Sequence, residues 1–229
     1  MNEHTVKAFD ADIGELRGLI SQMGGLAEEQ IGRAMLALQR GDHLLASEVR
    51  GADRAIDVIE AEVEKLAVRI IALRAPLAND LREVVAALKI AGVLERIGDY
   101  AKNIAKRVQM IDEGGDRIEP ISVLPAMGRM ASEMVGEALD AFAARDADAA
   151  VRVCESDRAL DDFYDSIFRT LVTYMVENPR TISQVAHLLF VAKNLERIGD
   201  HATNVAEMVY FAATGTQMAD RDTDKEQLT

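Results

Sequence analysis

Two pairs of carboxylate side chains, each with its members one helical turn apart, lie in a hexapeptide that occurs twice in the chain. The sequence LERIGD at Leu94–Asp99 recurs unchanged at Leu195–Asp200. On a helix, acids at this spacing lie on the same face and present their oxygen atoms side by side. The pairs are Glu95 with Asp99 and Glu196 with Asp200. The pattern predicts a binding site whose ligands are carboxylate oxygen atoms, and its recurrence indicates an internal duplication.

A second set of acids is expected to face these pairs. In two antiparallel helices joined by a tight turn, residues equally far from the turn along the chain lie at the same height. A turn at Pro76 places Asp57 level with Glu95, and the same construction about Asn178–Pro179 applies to the second half. The facing acids predicted in this way are Asp53, Asp57, Asp157 and Asp161. Further along the helices, the additional ligands predicted are Asn103, Asn204 and Glu207.

Four carboxylates at one height repel one another unless a positive charge lies among them. Hard cations with oxygen ligands meet that need, which indicates divalent or ferric ions such as Mg, Mn, Fe or Zn. The alternative is a solvated acidic face whose carboxylates pair with nearby arginines. Those arginines are Arg54, Arg96, Arg158 and Arg197. Because the whole set of acids recurs in both halves, a metal site is favoured over a solvated acidic face. The halves differ at one position, where the first has Lys106 and the second has Glu207. This difference predicts that the first half binds metal more weakly or uses Lys106 as an internal counter-ion.

The elements that position these acids are predicted to be helices. Aromatic residues make up only 4% of the chain, Trp is absent and Pro occurs four times, so long helices are favoured over sheets. Glycine, proline and capping residues divide the chain into six helices, at about 6–40, 43–74, 77–112, 122–144, 147–177 and 180–214. Repeated residues run through all of them, as where Met23–Gly24 matches Met127–Gly128.

This pattern predicts an all-α fold of two tandem three-helix bundles related by the internal repeat. We expect the first bundle to span residues 1–115 and the second to span 116–215. The polar end of the chain, 216–229, is expected to be a disordered tail.

Composition narrows the classes of function. A net charge of −13 argues against nucleic-acid binding, which needs a basic surface. Cys154 is the only cysteine, so no intrachain disulfide forms and a reducing, cytoplasmic location is expected. We expect neither a leader sequence nor direct membrane insertion, because no basic segment is followed by an apolar core near the first residues and no apolar run reaches membrane length. Phosphate-binding loop, nucleophile-elbow and zincin motifs are absent too, and we predict no catalytic residues.

Two stretches of the sequence resemble the PhoU family, the accessory regulators of bacterial phosphate-specific transport. They are Arg74–Arg107, which contains the first LERIGD block, and Asn194–Glu207, which contains the second. The resemblance implies a pair of three-helix bundles whose E/D-x-x-x-D motifs hold multinuclear metal clusters. It assigns ligand roles to the two acid pairs and the four facing aspartates.

The resemblance also implies regulation without catalysis. The expected function is negative regulation of the phosphate-starvation response, by coupling the ATPase subunit of the phosphate ABC transporter to a sensor histidine kinase. We expect a homodimer that is peripheral to the inner membrane through these partners. Two alternatives remain open: a metal-free helical adaptor whose acids bind basic partners, and a carboxylate-bridged metalloenzyme such as an oxidase or a phosphohydrolase.

Overall fold

The computed structural model describes residues 3–52, 54–112 and 118–218. Within these ranges the chain forms seven α-helical segments and two short 3₁₀ turns, with no strand, which confirms the all-α prediction. The helices are α1 (Glu3–Arg40), α2 (His43–Ala52), α3 (Arg54–Arg74), α4 (Asn79–Asp112), α5 (Leu124–Ala144), α6 (Ala147–Glu177) and α7 (Ile182–Thr214). The 3₁₀ turns are Glu119–Val123 and Pro179–Thr181.

The observed helices match the six predicted ones, with α2 and α3 together replacing the second. Asp53, the residue between the described ranges of α2 and α3, lies outside the described residues, as do 113–117, where the predicted boundary at residue 115 falls. In the predicted tail, residues 219–229 are also outside the described part.

The same capping residues mark corresponding helix boundaries in both halves. Asp42 accepts a hydrogen bond from the Leu45 amide at 3.0 Å, and Asp146 accepts one from the Ala149 amide at 2.9 Å. These are N-caps at the starts of α2 and α6. Just before each cap the backbone is left-handed, at Gly41 in the first half. Equivalent capping gives the two halves equivalent helix boundaries.

The two halves share one hydrophobic core instead of enclosing separate ones. Helices α1 and α5, which correspond in the repeat, pack on each other, and so do α4 and α7. Gln184 at the start of α7 donates to the Ile111 carbonyl at 3.0 Å, near the end of α4. At the other end of the pair, Gly215 lies against the Arg82 guanidinium. The two central helices, which carry the repeated acids, are therefore antiparallel along their length.

Corresponding glycines allow α1 and α5 to cross closely. A Cβ atom added to Gly24 would overlap the Leu139 side chain, and one added to Gly128 would lie 2.7 Å from Met35 Cγ. Gly24 and Gly128 are repeat counterparts. The duplicated glycines are therefore explained by the helix crossing that joins the halves.

Replacing Gly24 with alanine should lower the free energy of unfolding by about 1–3 kcal/mol, because the new methyl group overlaps Leu139 in a close-packed interface. Gly25 is a matched control, since no described atom outside its own helix lies within 4 Å of its Cβ position. Gly25→Ala should stabilise the protein by about 0.5–1 kcal/mol through helix propensity. Urea unfolding followed by circular dichroism measures both, and changes of the same sign would contradict the close crossing.

His187 makes stability pH-dependent at the α4–α7 contact. Its Nδ1 lies 3.3 Å from Arg107 Nη1, and burial and the Arg107 charge both lower its pKa below the ordinary 6.5. The unfolded chain therefore binds the proton more readily, so stability falls as the pH drops through the window below about 6.5. In His187→Gln this part of the loss should disappear. Unfolding free energies at about pH 7.5 and pH 5.5 test this, and an equal or larger loss in the variant would refute it.

Candidate metal centre

In the second half, the hairpin of α6 and α7 has the predicted register. Cys154 Sγ lies 3.9 Å from the Thr203 carbonyl oxygen, and the Lys193 ammonium lies 5.3 Å from the centre of the Tyr164 ring. The members of each pair are equally far from the turn at Asn178–Pro179. The acids predicted to be level, Asp157 with Asp200 and Asp161 with Glu196, therefore lie at matching heights.

Gly199 brings the two helices together beside these acids. A Cβ atom on Gly199 would overlap Leu160 and would lie 3.5 Å from Asp157 Oδ1. The glycine within the second LERIGD block therefore allows α6 to approach α7 at the height of the acids. This close approach offsets the cost of about 1 kcal/mol that glycine imposes inside a helix.

Glu196 is the most enclosed acid of the second LERIGD block. Its side chain is 14% exposed, and Oε1 lies 2.5 Å from the Lys193 ammonium. Oε2 is buried and has no hydrogen-bond partner. Although burial alone would lower the pKa of Lys193, its hydrogen bond and attraction to Glu196 raise it above the ordinary value. Glu196 therefore holds one cationic partner and keeps a buried oxygen atom available.

Asp200 reports on the electrostatics of the same surface. Partial burial of its carboxyl group raises its pKa, and repulsion from Asp161 raises it further. Lys193, His201 and Arg197 act in the opposite direction without reversing the shift. Asp161 on α6 and Asp200 on α7 are thus close enough to repel each other, and Lys193 supplies positive charge that acts on Asp200 and Glu196.

The first half also shows the predicted register but carries more positive charge. A Cβ atom on Gly92 would lie 3.5 Å from Glu60 Oε1, and these two residues are equally far from Pro76. Lys102 pairs with Asp99 at 3.3 Å. A cleft beside this pair is lined by Arg50, Gly51, Arg54, Asp57 and Lys102. This half therefore presents a mixed surface in which cationic side chains contact the predicted acids.

The predicted ligands differ in exposure. Those that are partly buried are Glu95, Asp99, Asn103, Asp157 and Glu196. Those that are exposed are Asp57, Asp161, Asp200, Asn204 and Glu207. Asp53 lies outside the described residues. Asn103 accepts a hydrogen bond from Lys106 at 3.1 Å, so Lys106 acts as a local partner in the first half.

No group of three or more His, Cys, Asp or Glu side chains in the described ranges is arranged to hold a metal ion. The donor chemistry nevertheless fits a hard cation, since Glu196 keeps a buried oxygen, and burial together with the nearby Asp161 carboxylate raises the pKa of Asp200. A cation bound at Glu196 Oε1 would require the Lys193 ammonium to move away from that oxygen. Binding at this atom would therefore exchange one positive charge for another.

Three residues of the candidate site were not identified from the sequence. Lys193 and Lys102 lie three residues from the acids they pair with, a spacing that favours helical ion pairs and that could have identified them. Glu60 also belongs to the acidic surface, because burial, Glu64 and Asp57 raise its pKa. The available signal was that Glu60 and Gly92 are equally far from Pro76 along the chain, which places the two residues at the same height in the hairpin.

A ring contact links the acid motifs of the two halves. Tyr100 follows Asp99, His201 follows Asp200, and their ring centres lie 5.2 Å apart in an edge-to-face arrangement. Arg197 lies over the Tyr100 ring at 5.9 Å. The residues next to the acids of the two motifs therefore contact each other where α4 packs on α7. The two acid motifs are thus connected through these side chains.

Comparison with known proteins places this arrangement in a family. A family model described as the PhoU domain matches residues 20–108 and again residues 124–209. A protein of Zymomonas mobilis named phosphate-specific transport system accessory protein PhoU homolog is 56% identical over 225 residues, covering 98% of this chain and 94% of that protein. A homolog of the same name from Caulobacter vibrioides is 44% identical and covers 95% of each chain.

Solved structures share the fold. The crystal structure of PhoU from Pseudomonas aeruginosa has a TM-score of 0.86 at 41% identity, covering 91% of this chain and all of that one. The phosphate transport system regulatory protein PhoU from Streptococcus pneumoniae has a TM-score of 0.85 at 28% identity, covering 93% of this chain and all of that one.

Proposed function

Because this chain belongs to the PhoU family, we propose that it is an accessory regulator of phosphate uptake that represses the phosphate-starvation response when phosphate is plentiful. The observation that carries the proposal is the match of both halves to the PhoU domain, with near full-length similarity to phosphate-transport accessory proteins. Those relatives are named as accessory or regulatory proteins. The proposed role is accordingly that of a non-enzymatic adaptor.

The proposed partners are the ATPase subunit of the phosphate transporter and a sensor histidine kinase. No helix in the described part of the chain is long and apolar enough to cross a membrane. In this proposal the protein is cytoplasmic, acts as a homodimer, and reaches the inner membrane by binding these two partners.

The proposed cofactor is a divalent or ferric ion in the second half. Its ligands would come from Glu196 and Asp200 on α7 and from Asp157 and Asp161 on α6, with Asn204 and Glu207 further along α7. The bound ion would neutralise the clustered acids and hold α6 to α7. The support is the buried Glu196 Oε2 and the mutual repulsion of Asp161 and Asp200. The weaker candidate is the first half, where Lys102 already pairs with Asp99.

The regulatory proposal is tested in a strain that lacks the gene. A phosphate-starvation reporter should be expressed in that strain at high phosphate, and the wild-type chain should restore repression. Continued reporter expression with the folded wild-type protein present would contradict the proposal. Elemental analysis of the purified protein separates the metal-bound regulator from a metal-free adaptor.

A further inference from the structure

A cavity of about 110 Å³ opens at the end of the molecule where α4 begins and where α5 and α7 end. Its polar wall consists of Asn79, Glu83 and Arg145. The apolar wall includes Phe142, Val209 and Ala213. Charges beside an apolar wall are poorly screened by water, so a charged ligand would interact strongly with this pocket. Its lining contains no residue of either LERIGD block.

Two residues of opposite charge, Glu83 and Arg145, line the cavity, and further arginines contact this lining. Glu83 is only 5% exposed and pairs with two arginines: Arg17 Nε lies 2.5 Å from Oε1, and Arg145 donates to Oε2. Arg82 donates to Asn79 on the cavity wall, and its Nε atom is buried without a hydrogen-bond partner. Asp80 is the other acid that acts on Arg145. Arg17 and Arg82 thus bring further guanidinium groups to the edge of a lining whose own charges balance, in a chain whose net charge is −13.

Arg145 occupies a backbone conformation that a side chain rarely adopts. Its φ is +54°, whereas the repeat counterpart is Gly41 at +65°, where glycine meets no penalty. An arginine in this region costs roughly 1 kcal/mol or more. Burial and the nearby Arg17 also lower its pKa, so a further negative charge would stabilise its guanidinium. A strained backbone that places a guanidinium on a cavity wall indicates a role for that side chain.

The opposite end of the molecule shows that the repeat does not require this cluster. The counterpart of Glu83 is Gln184, a neutral amide that donates to the Ile111 carbonyl. The loop at Gly41 contacts Asp112, which also pairs with His43 at 2.8 Å. The arginine cluster therefore has no counterpart at the repeat-related positions of the other end.

We propose that this cavity binds a small oxyanion, a phosphate or a carboxylate group, through Arg145 with Arg82 and Asn79. Arg82 donates to the Asn79 side-chain oxygen, so these two residues form a connected polar edge next to Arg145. Guanidinium groups match oxyanions through paired, charge-assisted hydrogen bonds. Glu83 acts as an internal anion that holds Arg17 and Arg145 in place and limits the affinity. This site goes beyond the proposed regulatory function and does not depend on it.

Isothermal titration of the full chain with inorganic phosphate, sulfate and acetate tests the site. Saturable binding of one anion per chain is expected, and the preferred anion identifies the ligand group. Arg145→Gly removes the guanidinium at a position that glycine suits, and should weaken binding about 10- to 100-fold. Glu83→Gln removes the competing carboxylate and should tighten binding.

Two further variants keep the result interpretable. Ala213→Leu adds bulk at the apolar wall without touching the ion pairs, and should weaken binding even if Arg145→Gly fails to fold. Arg129→Gln, at an exposed position on α5, is the matched control and should bind like the wild type. The site is disproved if neither the wild type nor Glu83→Gln binds any of the three anions, or if both cavity variants bind like the wild type. Because binding is measured on the purified protein, such a failure leaves the reporter experiment unaffected.

Discussion

Replacing Glu83 with alanine should lower the free energy of unfolding by about 1.5–3 kcal/mol, because charge-assisted hydrogen bonds to two partly exposed guanidinium groups are lost. Glu83 is almost fully buried and joins Arg17 on α1 to Arg145 in the turn before α6. The ion-pair triad therefore links the two halves of the molecule, and its loss acts on the whole fold.

Denaturant unfolding of Glu83→Ala measures this effect, with Glu133→Ala as the matched control on an exposed face of α5. Surface substitutions usually change stability by no more than about 0.5 kcal/mol. A loss below about 1 kcal/mol in Glu83→Ala would show that the triad contributes little to joining the halves.

The double variant Glu196→Gln with Asp200→Asn should lose tight metal binding. Removal of a single outer-shell partner of a metal site costs about 10- to 100-fold in affinity, so removal of two ligands should cost more than about 100-fold. Chelator competition with Mn, Zn and Fe on the purified protein measures the affinity.

Lys193→Gln supplies the opposite change at the same site. Its ammonium pairs with Glu196 at 2.5 Å and would compete with a cation for this carboxylate. Removal of this competing charge should tighten metal binding, whereas the double variant weakens it. Equal affinity in the wild type, the double variant and Lys193→Gln would place any bound metal elsewhere.

Much of the fold could be predicted because its signals are local. Helix ends follow from Asp42, Asp146 and the residues before them, which act within one turn of the chain. The register of each hairpin follows from its turn, as the contacts of Glu60 with Gly92 and of Tyr164 with Lys193 show. The internal duplication strengthened the prediction of the fold, because a pattern that occurs twice must be explained in both halves.

The packing between the halves could not be predicted in the same way. Gly24 and Gly128 were visible as repeated residues, but the crossing of α1 with α5 that requires them depends on contacts distant in sequence. The same holds for the meeting of Tyr100 with His201 between α4 and α7.

The candidate site was predicted only in outline for a related reason. Periodicity places Glu196 and Asp200 on one helical face, but it does not reveal which carboxylate oxygen is enclosed or that Lys193 occupies the space beside it. Glu83 looked like one acid among many, because its burial arises only when α1, α4 and the α5–α6 turn meet.

The adaptor role is tested most directly by co-purification from cells grown at high phosphate. Tagged wild-type protein should recover both the transporter ATPase subunit and the sensor kinase, and the Glu196→Gln, Asp200→Asn variant should recover clearly less of each at equal abundance. The account would be contradicted if the wild-type protein recovered neither partner. It would also be contradicted if the Glu196→Gln, Asp200→Asn variant, without bound metal, recovered both partners as well as the wild type does.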